Sequence, residues 1–200
     1  MKTIKYFLFF AIGLVALNSC DTNDDGFYNA IYLDSDTNDL VAIENRKSEY
    51  STSDSLYVIS KFSRYQNEKG QTKPLDIYKT TGGAAAFNFS YVLEIKNGAD
   101  WEVVKIPTEV LKIKKGKAVS GDFVYGSCVY NSTNKNDEYY EYHVGMPLSK
   151  TGDYRFRFGY NSDSNKVELV SESLGTNLAM VIFSPTSNLN AERYYTFTVK

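Results

Sequence analysis

From residue 28 onward, apolar and polar positions alternate with a period of two along most of the chain, and that period predicts strands. The clearest stretch is Phe87, Phe89, Tyr91, Leu93 and Ile95, all on one face of a long strand. Asn97-Gly98 then signals a hairpin turn, with Trp101–Ile106 as the returning strand. Upstream, Tyr28–Leu33 and Leu40–Ile43 flank a polar turn. Asp54–Ser63 sets Leu56, Val58 and Phe62 against Tyr57, Ile59 and Lys61. Glu68-Lys69-Gly70-Gln71 reads as a turn and Leu75–Lys79 as a short strand. Downstream, Val110–Lys114, a turn at Lys115-Gly116-Lys117 and a strand over Val119–Tyr130 are expected, followed by a polar loop over Asn131–Glu138. Tyr139–Gly145 places Tyr140, Tyr142 and Val144 opposite Tyr139, Glu141 and His143. Tyr154, Phe156, Phe158 and Tyr160 share a face opposite Arg155 and Arg157, and Val167–Ser171, Leu178–Ser184 and Tyr194–Val199 complete the set. Helical periodicity never lasts beyond a turn or two. Many short strands separated by turn residues predict an all-β protein built as an antiparallel sandwich.

One turn narrows the class. The run Leu148-Ser149-Lys150-Thr151-Gly152-Asp153-Tyr154-Arg155-Phe156 resembles the turn into strand F of immunoglobulin-like domains. There a Tyr two residues before a core position folds its hydroxyl back onto the backbone. Phe156 stands where antibody domains carry Cys, so the resemblance implies a disulfide-free version. The expected architecture is an antiparallel immunoglobulin-like β-sandwich over residues 28–200, as one elaborated domain. Two small stacked sandwiches divided near Pro107–Gly121 are the alternative.

The alternation is absent before residue 28. Lys2 and Lys5 precede an apolar or small-residue run, Tyr6–Leu17. As a helix it would be roughly 18 Å long, short of a hydrocarbon core of about 30 Å, which marks a secretory signal rather than a span. Leu17-Asn18-Ser19-Cys20 resembles a bacterial lipobox. The resemblance implies that Cys20 receives a diacylglyceryl thioether, becomes the new N-terminus and is then N-acylated. At ~0.8 kcal/mol per buried methylene, several chains make such an anchor effectively permanent. Asp21, Asp24 and Asp25 resemble the surface-export signal of Bacteroidota lipoproteins, which implies the outer leaflet of the outer membrane, facing outward. In a proteobacterial lipoprotein, Asp21 would instead imply inner-membrane retention. The expected layout is a signal peptide over 1–19, a lipidated Cys with an acidic tether over 20–27, and then the sandwich.

Composition removes several functions. The 200 residues carry a formal charge of −2, which becomes about −4 once residues 1–19 and their two lysines are gone. A mildly acidic chain without a basic patch is not expected to bind nucleic acid. With Cys20 lipidated only Cys128 remains, so no intrachain disulfide can form, and Cys128 is expected as a buried small hydrophobe. His143 is the only histidine, so a His-based metal cluster cannot be assembled. A Ser-His-Asp triad would have to use His143 from within an alternating strand, with no nucleophile-elbow glycines to serve it.

Asp21, Asn23, Asp25 and Gly26 open like a Ca²⁺ loop, but its twelfth position is Tyr32. Asp34, Asp36 and Asn38 space similarly, but Asp39 and Asn45 occupy the sixth and twelfth places, so a solvated turn is expected. Gly82-Gly83-Ala84 lacks the Lys-Ser/Thr of a phosphate cradle. No motif nominates a carboxylate pair. No catalysis, metal or cofactor is expected.

What remains is aromatic: 17 Tyr, 12 Phe and one Trp. Tyr57, Tyr139 and Tyr130 fall off the predicted core face, where a flat ring with a polar rim suits stacking on a sugar or anchoring a partner. Cross-strand pairing on a half-exposed sheet is the plainer reading of these tyrosines. Trp101 is the sharpest single candidate for a ligand platform, although packing between the sheets is the favoured expectation. The chain as a whole resembles the small β-sandwich surface lipoproteins of gut-type Bacteroidota. The shared features are the lipobox with its acidic follow-on, the Tyr-rich strands, the Gly152-Asp153-Tyr154 corner and the terminal Tyr194–Val199 strand. That resemblance implies a non-catalytic, membrane-anchored protein that binds an extracellular glycan or a cell-surface partner. The alternative is a structural or accessory subunit docking on an outer-membrane protein complex. An aromatic platform flanked by polar groups would favour glycan, and a broad flat apolar patch would favour protein.

Overall fold

The computed structural model describes residues 29–134, 137–159, 165–172 and 178–200. The signal sequence, Cys20, Asp21, Asp24, Asp25 and Tyr160 lie outside the described residues. Alternation becomes strand almost throughout. The first half of the described chain gives β1 (Asn29–Asp34), β2 (Val41–Ile43), β3 (Glu49–Tyr50), β4 (Ser55–Ser63), β5 (Tyr65–Gln66), β6 (Leu75–Asp76), β7 (Ala86–Asn97) and β8 (Asp100–Val103). The second half gives β9 (Lys112–Lys115), β10 (Lys117–Ser120), β11 (Val124–Asn134), β12 (Asp137–Pro147), β13 (Gly152–Phe158), β14 (Lys166–Ser171), β15 (Leu178–Pro185) and β16 (Tyr195–Val199).

Among the described residues, fourteen strands join one sheet and β5 pairs with β6 separately. The main path runs β1-β15-β14-β7-β11-β12-β4-β2. Its two ends, β1 and β2, are consecutive in the chain, so the short link between them forces the sheet to curl round. The seam is closed by hydrogen bonds instead of a ladder: Leu40 N donates to Ser184 Oγ (3.1 Å) and Ile43 N to Asn188 Oδ1 (3.0 Å). Asp39, at φ +57°, accepts from Ser187 N, Ser187 Oγ, Thr186 Oγ1 and Asn188 Nδ2. The result is an all-β sandwich whose layers are parts of one curled sheet. Pairing is mostly antiparallel, with β1–β15 and β16–β3 parallel.

β7 is shared between the layers. Residues 86–91 pair with β11, and residues 91–95 pair with β13. Its apolar face enters a core rich in aromatic contacts: Phe87 meets Phe62 and Tyr140, Phe89 meets Tyr142, and Tyr91 meets Phe156. The predicted corner forms as expected, since Tyr154 OH donates to Lys150 O (2.8 Å) and Phe156 is fully buried. Cys128 is buried as predicted, and burial pushes its thiol up to about 12. Strands on either side of Pro107–Gly121 pair directly, β4 with β12 and β7 with β11, so the sheet has no break there.

Three local expectations are corrected. Leu75–Lys79 is a strand only to Asp76, whose carboxylate then accepts from Lys79 N (3.0 Å) and caps a single-turn helix α1 (Ile77–Thr80). Capping by Asp at this position overrides the strand reading. The turn expected at Lys115-Gly116-Lys117 forms as a bend at Gly116, but it joins no hairpin, because β9 pairs with β12 and β10 with β11. Gly116 passes the chain between the two ladders at φ +73°, where a Cβ would lie 2.6 Å from Ser127 O. Val119–Tyr130 is broken by a turn at Gly121, and Ser120 pairs with Val124. The polar loop expected over Asn131–Glu138 is largely strand, with Asn131 opposite Tyr139 and Ser132 opposite Glu138. Its polar side chains are those of a solvent-facing hairpin, and composition alone does not distinguish that from a loop.

Candidate functional site

The second layer runs β8-β7-β13-β16-β3, and its outward face carries the site. Core-facing Tyr154, Phe156 and Phe197 alternate with outward Asp153, Arg155, Thr196 and Thr198. The β7–β8 hairpin puts Lys96 opposite Trp101 and Glu94 opposite Val103. Across β7 the register sets Arg155 opposite Glu94, and Asp153 opposite Thr198 on β16. Extending this register by one residue aligns Trp101, Lys96, Asp153 and Thr198 in one row across four strands. At about 4.8 Å per strand the row spans roughly 14 Å.

An open pocket of about 390 Å³ lies over this row, lined by Ser48, Lys96, Trp101, Asp153, Thr196 and Thr198 above Tyr154 and Phe197. Trp101 is therefore half-buried on the outer face and does not pack between the sheets. That corrects the favoured expectation for it. The Arg155 guanidinium stacks on both the Trp101 ring (4.6 Å) and the Tyr194 ring (4.3 Å). Arg155 is itself clamped by Glu94, through Nε to Oε2 (2.7 Å) and Nη2 to Oε1 (3.2 Å). A two-bond Arg–carboxylate fork fixes the plane of the guanidinium, and through it the Trp101 ring. Thr198 Oγ1 donates to Asp153 Oδ1 (2.8 Å). The arrangement offers an aromatic wall, hydroxyls, one carboxylate and one ammonium. This is chemistry for holding a polar ligand with an apolar face.

The other two nominated aromatics are placed elsewhere. Tyr57 and Tyr139 share the outer face of the β4–β12 ladder, where Gly145 is opposite Tyr57 and Tyr139 is opposite Ser63. Six residues separate these rungs, roughly 20 Å along the strand. Lys114 Nζ covers the Tyr57 ring at 4.1 Å, and Lys61 Nζ covers Tyr139 at 4.0 Å. Tyr57 also meets the edge of His143 (5.2 Å), whose Nε2 lies 3.2 Å from Glu44 Oε2 and 3.3 Å from Lys114 Nζ. The structure brings neither tyrosine to Trp101. Tyr130, also expected off the core face, is instead on the core side of β11 with Val124 and Cys128 and packs against the core, stacking on Tyr78 (4.3 Å) and donating to Glu138 Oε1 (2.8 Å).

Sequence reasoning missed two carboxylates that the fold gathers. Arg64 pairs with Asp76 through both oxygens and with Glu138 Oε2 (2.8 Å). Hydrogen bonding from Arg64 holds the Asp76 carboxyl below the usual carboxylate range. Burial, and then the adjoining Glu138, push the Tyr130 hydroxyl up. Each group here already has a protein partner, so the cluster ties the β4–β5 link, β6 and β12 together. Glu94 was missed as well. Its one signal was a lone acid breaking the apolar run Val92-Leu93-Ile95, across from Arg155 in a strand far along the chain.

Comparison of this chain with protein-family models, curated proteins and solved structures finds no match.

Proposed function

We propose that this protein is a non-catalytic, membrane-anchored surface lipoprotein that binds an extracellular glycan in the pocket beside Trp101. The observation that carries the reading is that Trp101 lies outside the core, held by Arg155, next to an open pocket lined by Lys96, Asp153, Thr196 and Thr198. Aromatic rings combined with ionised and hydroxyl groups suit a pyranose, which has apolar C–H faces and a polar rim. Anchoring rests on the lipobox-like Leu17-Asn18-Ser19-Cys20, and outward display on Asp21, Asp24 and Asp25.

The alternative reading, a subunit docked on an outer-membrane protein, draws on the exposed Tyr32 (64%), Val119 (61%) and Tyr125 (52%) of the main sheet. It ranks second because polar residues interrupt that face. The register runs Tyr32, Val181, Val170, Asn88, Ser127, Lys117 across the sheet, while Val119 and Tyr125 lie in another row that continues to Ser90, so Asn88, Ser127 and Ser90 separate the two apolar groups.

A broad glycan array probed with the lipid-free protein (residues 21–200) and its Trp101→Ala variant tests the reading. Saturable binding that the substitution abolishes, with the circular dichroism spectrum unchanged, is expected. Binding that survives the substitution would move the site away from Trp101, and no binding would favour a protein partner. Metabolic labelling with a radioactive fatty acid, lost in Cys20→Ser, tests the anchor.

A further inference from the structure

The charges around the pocket cancel in pairs, and this restricts what the pocket can hold. Arg155 is the nearest strong cation, but the nearly buried Glu94 (8% exposed) takes up its charge through two hydrogen bonds. At the far side of the layer, Lys200 Nζ lies 2.5 Å from Glu49 Oε2, so that pair is neutral too. Lys96 and Asp153 remain. They occupy neighbouring strands in the row that contains Trp101, and both are exposed. Among the described residues Lys96 makes no ion pair, and Asp153 spends only Oδ1, on Thr198. The pocket thus presents one free ammonium and one free carboxylate oxygen about one strand spacing apart, beside an aromatic wall, with no net charge.

Building on the glycan reading above, we infer that the ligand is an uncharged sugar. One of its hydroxyls donates to Asp153 Oδ2, and a nearby hydroxyl accepts from Lys96 Nζ, while its C–H face lies on Trp101. A hydroxyl is both donor and acceptor, so a pair of hydroxyls satisfies a carboxylate and an ammonium together. A uronic acid would satisfy Lys96 but meet the Asp153 carboxylate. An amino sugar would satisfy Asp153 but meet the Lys96 ammonium. In either case the like charge facing the ligand offsets the matched contact, which a neutral sugar avoids.

The test is titration of neutral, uronate and amino-sugar oligosaccharides into the full soluble chain and into Lys96→Met, Asp153→Asn and Trp101→Ala. Both polar substitutions are at exposed positions and leave the core untouched. The wild type should prefer neutral sugars. Each polar substitution should weaken neutral-sugar binding roughly ten- to hundredfold, the range for a lost hydrogen bond to a charged group. Asp153→Asn should shift preference toward uronates, and Lys96→Met toward amino sugars.

Preference for a charged sugar in the wild type, or neutral-sugar binding indifferent to both polar substitutions but lost in Trp101→Ala, would overturn this inference and leave the glycan reading standing. Binding of no sugar by any form, or binding indifferent to Trp101→Ala, would overturn the reading on which it rests.

Discussion

Tyr91 and Tyr142 place two hydroxyls in the core, 2.7 Å apart, in side chains that are 0% and 1% exposed. Among the described residues neither hydroxyl makes another hydrogen bond. Burial raises both far above the ordinary tyrosine value. Tyr91→Phe strands the Tyr142 hydroxyl without a partner, and Tyr142→Phe does the same to Tyr91. Each single substitution should cost about 1–3 kcal/mol, the penalty for an orphaned buried hydroxyl. The double substitution removes both polar groups and keeps the edge-on ring contact (6.5 Å between centroids). Its cost should be no larger than that of one single variant, which gives a coupling of about 1–3 kcal/mol. Urea unfolding of the four proteins, read by circular dichroism at fixed pH, measures this cycle. A double variant destabilised by the sum of the singles, within ~0.5 kcal/mol, would refute the claim that the two hydroxyls satisfy only each other.

Three further outcomes are expected. Arg155→Met should leave the nearly buried Glu94 unpaired and cost about 1–3 kcal/mol, less than a fully buried pair because both side chains retain some exposure. Trp101 is the only tryptophan, so the same variant should shift intrinsic emission, and an unchanged spectrum would argue against the Arg155–Trp101 stack. Gly116→Ala should cost about 2–4 kcal/mol from its positive φ and the clash with Ser127 O. Gly121→Ala, where nothing lies within 4 Å of the added Cβ, should be near neutral in the same melting series. Burial of Asp39 opposes ionisation, but hydrogen bonds from Ser187, Asn188 and Thr186 outweigh it and lower its pKa. A lowered folded value adds stability above the unfolded pKa of about 3.9, and that stability is lost as pH falls through the folded value. Asp39→Asn should therefore flatten the acid limb of the stability profile below about pH 4, and an unaltered limb would exclude a role for the seam carboxylate.

The outward placement of Trp101 was within reach of the sequence. A two-residue turn at or beside Asn97-Gly98 pairs Trp101 with an even-numbered residue of β7, either Lys96 or Glu94. The core face of β7 is odd-numbered, from Phe87 to Leu93. Either register therefore sends Trp101 outward. Residue type points the other way, because tryptophan is highly buried on average. Asp76 is a second case. An Asp three residues ahead of Lys79 carries an N-cap signal that local alternation hid.

Taken by itself, the sequence determined the strand content, the Asn97-Gly98 hairpin, the Tyr154 corner, the burial of Cys128 and the parity of each strand. All of these follow from interactions within a few residues, where side-chain period and turn chemistry act directly. Tertiary structure alone decided that the sheet curls until Leu40 and Ile43 reach Ser184 and Asn188, that Arg64 gathers Asp76 with Glu138, and that Arg155 bridges Trp101 and Tyr194. Period two says which face a residue takes and nothing about which distant strand lies beside it. That register is chosen by the total apolar surface buried when every strand pairs at once. The pocket rests on such a choice, since its row joins Trp101 and Lys96 from one hairpin to Asp153 and Thr198 from strands more than fifty residues further on.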